Sequence, residues 1–475
     1  MLQESPLLNR LIETQKEKLV PFHMPGHKNA RMYKNLKKKL ISLDTTEIPG
    51  LDNLHKAQGV IKEAQARAAE TFASDESFFI VNGSTSGIYS MVMAISCPGD
   101  KLIVGRNCHQ SVVHATILGD IEPVYFYPQM DREQGIALGT SPQEIEDKIK
   151  ENPDAKGVLL TYPTYHGFAS DLEQIAQIVH QADKILLVDE AHGAHLGLSD
   201  RLPKSALACG ADIVVQSIHK TLPSLTQSSI IHVQGDRVDR EKLKFMLRLN
   251  QSSSPSYILM ASLDFATTVY RQEGRQLMER LIYHIDSFRR QVKDIEGVKV
   301  LGEERLGQKH IKAMDITKLW ISMKDRGISG YQLEERLRKD FKIQMELSNI
   351  YGSLALTSIG NEGEDFNKLA KALDKISKEE AGEEILRMPP YSYSIPKRRY
   401  TPREALYMDK KRVKLEDSVG RVSGEYITPY PPGIPILLPG EIIEAETIDY
   451  VKTMVKQGME LTGLKDHTCQ WIEII

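Results

Sequence analysis

Cysteine is scarce in this chain, and the four present, Cys97, Cys108, Cys209 and Cys469, show no paired spacing. That excludes a disulfide-stapled secreted scaffold and a zinc ribbon, and it points to reduced thiols in a cytoplasm. Long apolar runs are also missing: nowhere do about 18 uncharged apolar residues follow one another, as a membrane-spanning helix requires. The first residues, among them Glu4, Asn9, Arg10 and Glu13, are polar and helix-like rather than a basic tip before an apolar core. Neither export nor membrane insertion is expected. Charge of one sign is lacking too, with 61 basic against 64 acidic side chains and a formal charge of −3. This leaves no electrostatic case for nucleic acid or an anionic membrane as a partner. The densest lysine run, Lys37-Lys38-Lys39, reads as a solvated face. There is no internal repeat, and no low-complexity segment beyond Ser252-Ser253-Ser254.

What the chain has is length and alternation. At 475 residues it is too long for one ordinary core and suits two or three domains. From about residue 57 to 233, short apolar runs alternate with amphipathic segments, the pattern of a parallel sheet with crossover helices. The runs are Lys101–Gly105, 123–127, Gly157–Thr161, Ile185–Asp189, Ile213–Gln216 and Ser229–Val233; helices are predicted at Val60–Phe72, 141–151 and Leu172–Gln181. This block predicts a large domain at 57–270. Residues 1–56, with Pro21, Pro25 and Pro49, form an irregular arm of the kind that lies over a neighbouring subunit. A helix-like stretch at 275–295, an apolar segment at 297–301 and further alternation predict a small α/β domain at 271–377. A charged, Pro-rich stretch at 378–403 opens a C-terminal segment, 378–475.

Asp189 ends one apolar run, and Lys220 follows another. An acid and an amine so placed are the two fixtures that pyridoxal phosphate requires, a lysine for the Schiff base and a carboxylate to hold the proton on the pyridine nitrogen. Asn82-Gly83-Ser84-Thr85-Ser86-Gly87 lies between the apolar 78–81 and the helix-like 88–95. Its backbone N–H groups and hydroxyls converge at a helix N-terminus, which is a phosphate site by its physical chemistry. Arg106-Asn107-Cys108-His109-Gln110-Ser111 sits just past another strand, at the carboxyl edge where open α/β sheets collect ligands.

The surroundings of these residues, Asp189-Glu190-Ala191-His192-Gly193 and Ser217-Ile218-His219-Lys220-Thr221, resemble the signatures of the fold-type I ornithine/lysine/arginine decarboxylases. The resemblance runs from Phe22-His23-Met24-Pro25-Gly26-His27-Lys28 to Pro429-Tyr430-Pro431-Pro432-Gly433-Ile434-Pro435, nearly the whole chain. It implies an α/β architecture: an aspartate-aminotransferase-like large domain with a mostly parallel sheet, and smaller C-terminal α/β domains. It also implies pyridoxal 5'-phosphate and decarboxylation of a basic L-amino acid to an amine of polyamine biosynthesis; the sequence does not settle which one, and arginine is taken first by a narrow margin, then lysine or ornithine. A homodimer or larger homo-oligomer with shared active sites follows from the same resemblance. Lys220 becomes the Schiff-base lysine and later a proton carrier, and Asp189 the partner of the pyridine nitrogen. Ser84, Thr85 and Ser86 become phosphate ligands, with Ser217 and His219 as further donors. His109 stacks on the ring and is a candidate for proton delivery. Ala191 lets the ring pack against the sheet, while His192 lies near the ring's other side or near the substrate carboxylate. In Gln251-Ser252-Ser253-Ser254-Pro255-Ser256-Tyr257, Ser253 or Ser254 reaches the neighbouring subunit's phosphate group.

A pocket for a basic side chain needs acid at its far end. The segment Thr46-Glu47-Ile48-Pro49-Gly50-Leu51-Asp52-Asn53-Leu54 resembles a family motif and offers Glu47 and Asp52; both serve equally as helix caps or partners of surface cations. The C-terminal Pro-rich turn is rigid enough to close one wall of a site. His23, His27, His55 and His166 stand in family-like motifs with no chemistry that spacing supplies. No metal site is expected. Two departures stand out: there is no counterpart of the receiver-like N-terminal wing of the large acid-inducible members, so their decameric assembly is not carried over, and His166 replaces an expected aromatic or acidic residue. Two other readings remain open. An aminotransferase or aldolase-type enzyme on the same fold generally needs an arginine to clamp the retained carboxylate; a non-catalytic cofactor-binding regulator must explain why Lys220, Asp189, His109 and the phosphate loop are all intact.

Overall fold

The predicted apolar runs form the middle of a seven-stranded sheet, and their alternate residues feed two different cores. In the computed structural model, which describes residues 16–29, 31–33, 43–379, 393–430 and 434–475, the strands are β1 (Glu76–Ile80), β2 (Lys101–Gly105), β3 (Glu122–Phe126), β4 (Gly157–Thr161), β5 (Ile185–Asp189), β6 (Ile213–Gln216) and β7 (Ser229–Val233). Ile103, Val158, Leu160, Leu186, Val188 and Val214 enter one core cluster, while Leu102, Val104, Leu159, Leu187, Ile213 and Val215 enter another. Successive strand residues point to opposite faces, and helices cover both, which is why these strands read as unbroken apolar runs. The Lys37–Lys39 face and the 431–433 turn lie outside the described residues, as do residues 380–392 of the Pro-rich stretch.

The spatial order is β1-β7-β6-β5-β4-β2-β3. All neighbouring pairs are parallel except those of β7, which runs antiparallel to β6 and β1. Helices Val60–Phe72 and Leu172–Gln181 fall where predicted; the latter starts at Asp171, whose carboxylate accepts the Gln174 N–H. The helix predicted at 275–295 is instead Tyr257–Val292, 36 residues long and capped by Ser256. Its first half is buried through Met260, Leu263, Ala266 and Val269, and so it hid its helical period in an apolar run; it crosses the expected boundary at 270/271.

The small sheet is antiparallel, ordered Lys299–Val300, Lys318–Ser322, Gly352–Leu356, Leu347–Asn349. The described part of the arm does not reach away from its own chain. Val20–Pro21 pairs in parallel with Ile343–Gln344, Phe22 is buried, and the Leu356 N–H donates to the Phe22 carbonyl at 2.9 Å. The C-terminal region has its own core, built on Ile427, Leu437, Ile448 and Val451. Among the described residues no helix is long and apolar enough to cross a membrane.

Candidate functional site

Parallel strands end at one edge, so the loops after β1, β2, β4, β5 and β6 gather there. Register places Thr161 of β4 opposite Asp189 of β5, and Asp189 opposite Val215 of β6. Two backbone bonds tie the loops together, from Tyr162 N to the Asp189 carbonyl at 3.0 Å and from Glu190 N to the Val215 carbonyl at 2.9 Å. Lys220 does not end a strand; it sits on the one-turn helix Ile218–Thr221 that follows β6.

The Lys220 amine donates to His192 Nε2 at 3.0 Å. That leaves the ring proton of a neutral His192 on Nδ1, which is buried without a partner. Burial, then the neighbouring charges of Lys220 and Lys318, hold the His192 pKa far below its usual value, so the ring stays neutral. Tyr165 packs on it at 4.4 Å between ring centres. Burial also lowers the Lys220 pKa against the opposing pull of Asp189 and Glu346, which enlarges the fraction of free amine. Asp189 is 4% exposed and accepts the Ala191 N–H at 3.1 Å. Its pKa is raised by burial against Lys220 and His109, so it favours a cationic partner that would return its charge. His109 caps the helix Gln110–Gly119: its Nδ1 accepts the Ser111 N–H at 3.2 Å, and one side of the ring is exposed.

Helix Gly83–Ile95 begins with Ser84, Thr85 and Ser86 in its first turn, and Asn82 makes no side-chain cap bond. Gly83 has φ +77° and donates its N–H to the Gln227 carbonyl at 2.9 Å, which turns the chain so that the next N–H groups face outward. Ser86 Oγ donates back to the Gly83 carbonyl at 3.0 Å. Ser217 Oγ and Thr161 Oγ1 are buried without partners. Buried hydroxyls without partners are unfavourable unless a ligand satisfies them. An uncapped helix start, an orphaned Ser217 hydroxyl, a lone buried carboxylate and an amine of lowered basicity fit a phosphorylated pyridine aldehyde.

Other expected residues fall differently. His219 gives its Nδ1 proton to the Ser228 carbonyl at 2.9 Å, and burial lowers its pKa to about 4. Neutral, with that proton committed, it has no second N–H to offer a phosphate. Ser253 is exposed, although the Ser252 N–H reaches Asn82 Oδ1 at 3.4 Å and sets this loop beside the chain's own helix start. Glu47 is exposed. The Asp52 carboxylate caps the helix at Val60–Phe72, accepting N–H groups from Asn53, Gln58, Gly59, Ile61 and Lys62 at 2.7–3.3 Å. Burial opposes its charge, but these bonds win and hold its pKa at about 2. In this structure the carboxylate is committed as a helix cap. Residues without an expected role also stand close: Lys318, Asp315, Glu346 and Tyr165 near Lys220 and His192, and Arg106 with Glu441 behind His109. Arg106, three residues from His109, is the one that local pattern could have flagged.

Residues 5–365 match the Orn/Lys/Arg decarboxylase major domain, and residues 390–469 match the C-terminal domain of the same family. The chain belongs to the Orn/Lys/Arg decarboxylase family. An arginine decarboxylase of Bacillus subtilis is 38% identical over 479 residues, covering 99% of this chain and 98% of the relative. The constitutive lysine decarboxylase of Escherichia coli is 24% identical, covering 97% of this chain and 78% of the relative. The crystal structure of a Francisella novicida lysine decarboxylase superposes with a TM-score of 0.81 at 22% identity, covering 94% of this chain and 76% of that one, which shows the shared fold. This Orn/Lys/Arg decarboxylase has the fold-type I α/β architecture, and its family makes it a decarboxylase of basic amino acids.

Proposed function

We propose that this decarboxylase works with pyridoxal 5'-phosphate on a basic L-amino acid, arginine before lysine or ornithine, and releases CO2 and an amine for polyamine biosynthesis. The observation that carries this is the convergence of Lys220, Asp189, the exposed face of His109 and an uncapped helix start at one sheet edge, with an orphaned Ser217 hydroxyl among them. Arginine comes first because relatives named for arginine are 38% identical and those named for lysine 24%.

When bound, the cofactor supplies the sink for the electron pair that remains at Cα once CO2 leaves. Lys220 carries the amine that holds it and, in its free-base form, moves a proton at Cα. Asp189 holds the proton on the pyridine nitrogen. Ser84, Thr85, Ser86, Ser217 and the N–H groups of the helix start hold the phosphate. His109 would pack on the ring and exclude water there, and the small Ala191 would let the ring lie against the sheet. Ser253, on its exposed loop, is offered to a second copy, in keeping with a homodimer or larger homo-oligomer in the cytoplasm.

A substrate panel tests the proposal. Cofactor-loaded protein is given L-arginine, L-lysine and L-ornithine, and CO2 and amine are measured together. The highest kcat/KM is expected for arginine with agmatine as product. Faster turnover of another basic amino acid overturns the preference, and CO2 from none of them overturns the function.

A further inference from the structure

Lys318 is among the most deeply buried side chains of the protein and stands near Lys220 and His192 with no role assigned so far. It begins the strand Lys318–Ser322 of the small sheet, and its Nζ stands 3.5 Å from Asp315 Oδ2 and 3.5 Å from the carbonyl oxygen of His192. Asp315 is fully buried as well, and its two oxygens are divided. Oδ1 accepts from Thr317 Oγ1 at 2.6 Å and Thr317 N at 3.0 Å, while Oδ2 faces His195 Nε2 at 3.1 Å. Gly167, at φ +92°, closes the cluster, for a Cβ there would stand 2.9 Å from both the Asp315 carbonyl oxygen and Lys318 Cγ. A buried cation with one shared carboxylate is unfavourable as packing, since an apolar side chain of equal volume would serve as well or better. Its value lies in what it faces. His192, whose carbonyl it holds, contacts Lys220 through Nε2 at 3.0 Å.

We propose that Lys318 is a positioning residue for Lys220: anchored on Asp315 and on the His192 carbonyl, its ammonium fixes His192 against the Lys220 amine and disfavours a second positive charge there. This rests on Lys220 being the reactive amine. The groups facing Lys220 are Asp189 from β5, His192 and His109 from the loops of the sheet edge, and Glu346 with Lys318 from the small-domain side. The two carboxylates favour the charged amine, while burial first and then Lys318 oppose it; burial also lowers the Lys318 pKa, against the pull of Asp315 and Glu346.

The experiment titrates Lys220 in cofactor-free protein by competitive acylation across pH, read by mass spectrometry. At an effective dielectric near 20, removing one charge that opposes the protonated amine raises the half-labelling pH by up to about one unit. At pH values well below half-labelling, labelling then falls by up to about tenfold in Lys318→Met. Lys318→Arg, which keeps the charge, restores the parental curve. If Lys318→Met does not fold, Lys318→Gln, which keeps a donor for the His192 carbonyl and no charge, reads the same shift. A curve unmoved in the folded neutral variant, or moved equally by Lys318→Arg, overturns the proposal. Borohydride reduction of the cofactor-loaded parent separately identifies the modified lysine; a lysine other than Lys220 overturns the reading on which the proposal rests.

Discussion

Glu441→Ala is expected to destabilise the junction between the C-terminal region and the His109 loop by roughly 3–5 kcal/mol, the usual penalty for stranding one member of a buried ion pair. Arg106 and Glu441 are 0% and 2% exposed and meet in a fork, Nη1 to Oε1 at 2.6 Å and Nη2 to Oε2 at 2.7 Å. Without Glu441 the guanidinium keeps the Pro435 carbonyl at 2.9 Å and the Tyr125 ring, 4.8 Å away, while the Leu438 N–H loses its acceptor. Burial opposes the charge of Arg106 and Glu441 overrides it, so the side chain cannot escape by losing its proton. Converting both partners to apolar residues, Arg106→Met with Glu441→Leu, leaves only Leu438 N and the Pro435 carbonyl unmatched, about 1–3 kcal/mol. The double variant is therefore no less stable than either single one, and the cycle shows a coupling of about 2 kcal/mol or more. Two tryptophans make this measurable: Trp471 lies in the C-terminal strand Trp471–Ile474 and Trp320 in the small sheet. In a Trp320→Phe background, guanidinium unfolding read at Trp471 shows the midpoint falling by roughly 1 M for Glu441→Ala. A loss below about 1 kcal/mol, the range of an exposed pair, or simple additivity in the double variant, refutes the reasoning.

Asp189→Asn is expected to bind cofactor but lose orders of magnitude in turnover, because an amide cannot hold the pyridine proton by its charge; steady-state CO2 release at saturating cofactor checks it, and near-parental turnover sinks the role. Ser217→Ala should leave stability unchanged or slightly higher, since the hydroxyl is buried without a partner, while raising the cofactor Kd about 10–100-fold for one lost bond to a charged group. Equal affinity by equilibrium dialysis removes Ser217 from the phosphate site. Glu190 accepts the Ala206 N–H and Gln216 Nε2, and burial raises its pKa from 4.5 to about 8. A carboxyl raised on folding stabilises the native state below 4.5 and loses that contribution as pH climbs to 8, a slope of roughly 1.4 kcal/mol per pH unit. Denaturant unfolding at several pH values in that window should show the slope vanish in Glu190→Gln; persistence of the slope assigns it elsewhere. Asp52→Ala should lower stability by about 1–2 kcal/mol as a lost cap with unchanged substrate preference, and an altered arginine-to-lysine ratio would return it to the substrate.

What was legible in the chain is what physics writes locally. Strands β2, β4, β5, β6 and β7 appear at the predicted residues and β3 one residue early, because a strand covered on both faces must be apolar throughout. The placement of Asp189 at a strand end and of Ser84–Ser86 at a helix start was legible because neighbouring residues define those ends. Strand direction was not: Ser229–Val233 is as apolar as its parallel neighbours, and nothing in it records that the chain enters from the other side. The arm's pairing with its own chain was not legible because its partner, Ile343–Gln344, lies more than 300 positions away. The cap at Asp52 could not be told from a substrate carboxylate because a cap is recognised by the N–H groups that converge on it, and these come from residues up to ten positions ahead. Glu441 and Lys318 act across 335 and 126 positions respectively, and each owes its role to a buried opposite charge or a carbonyl that only folding supplies. Local chemistry therefore identifies the groups that touch the ligand, whereas the groups that set their charge and position come from elsewhere in the chain. The Lys220 amine is the clearest case: its motif names the residue, but burial, with Asp189, Glu346 and Lys318 from separate elements, sets its basicity.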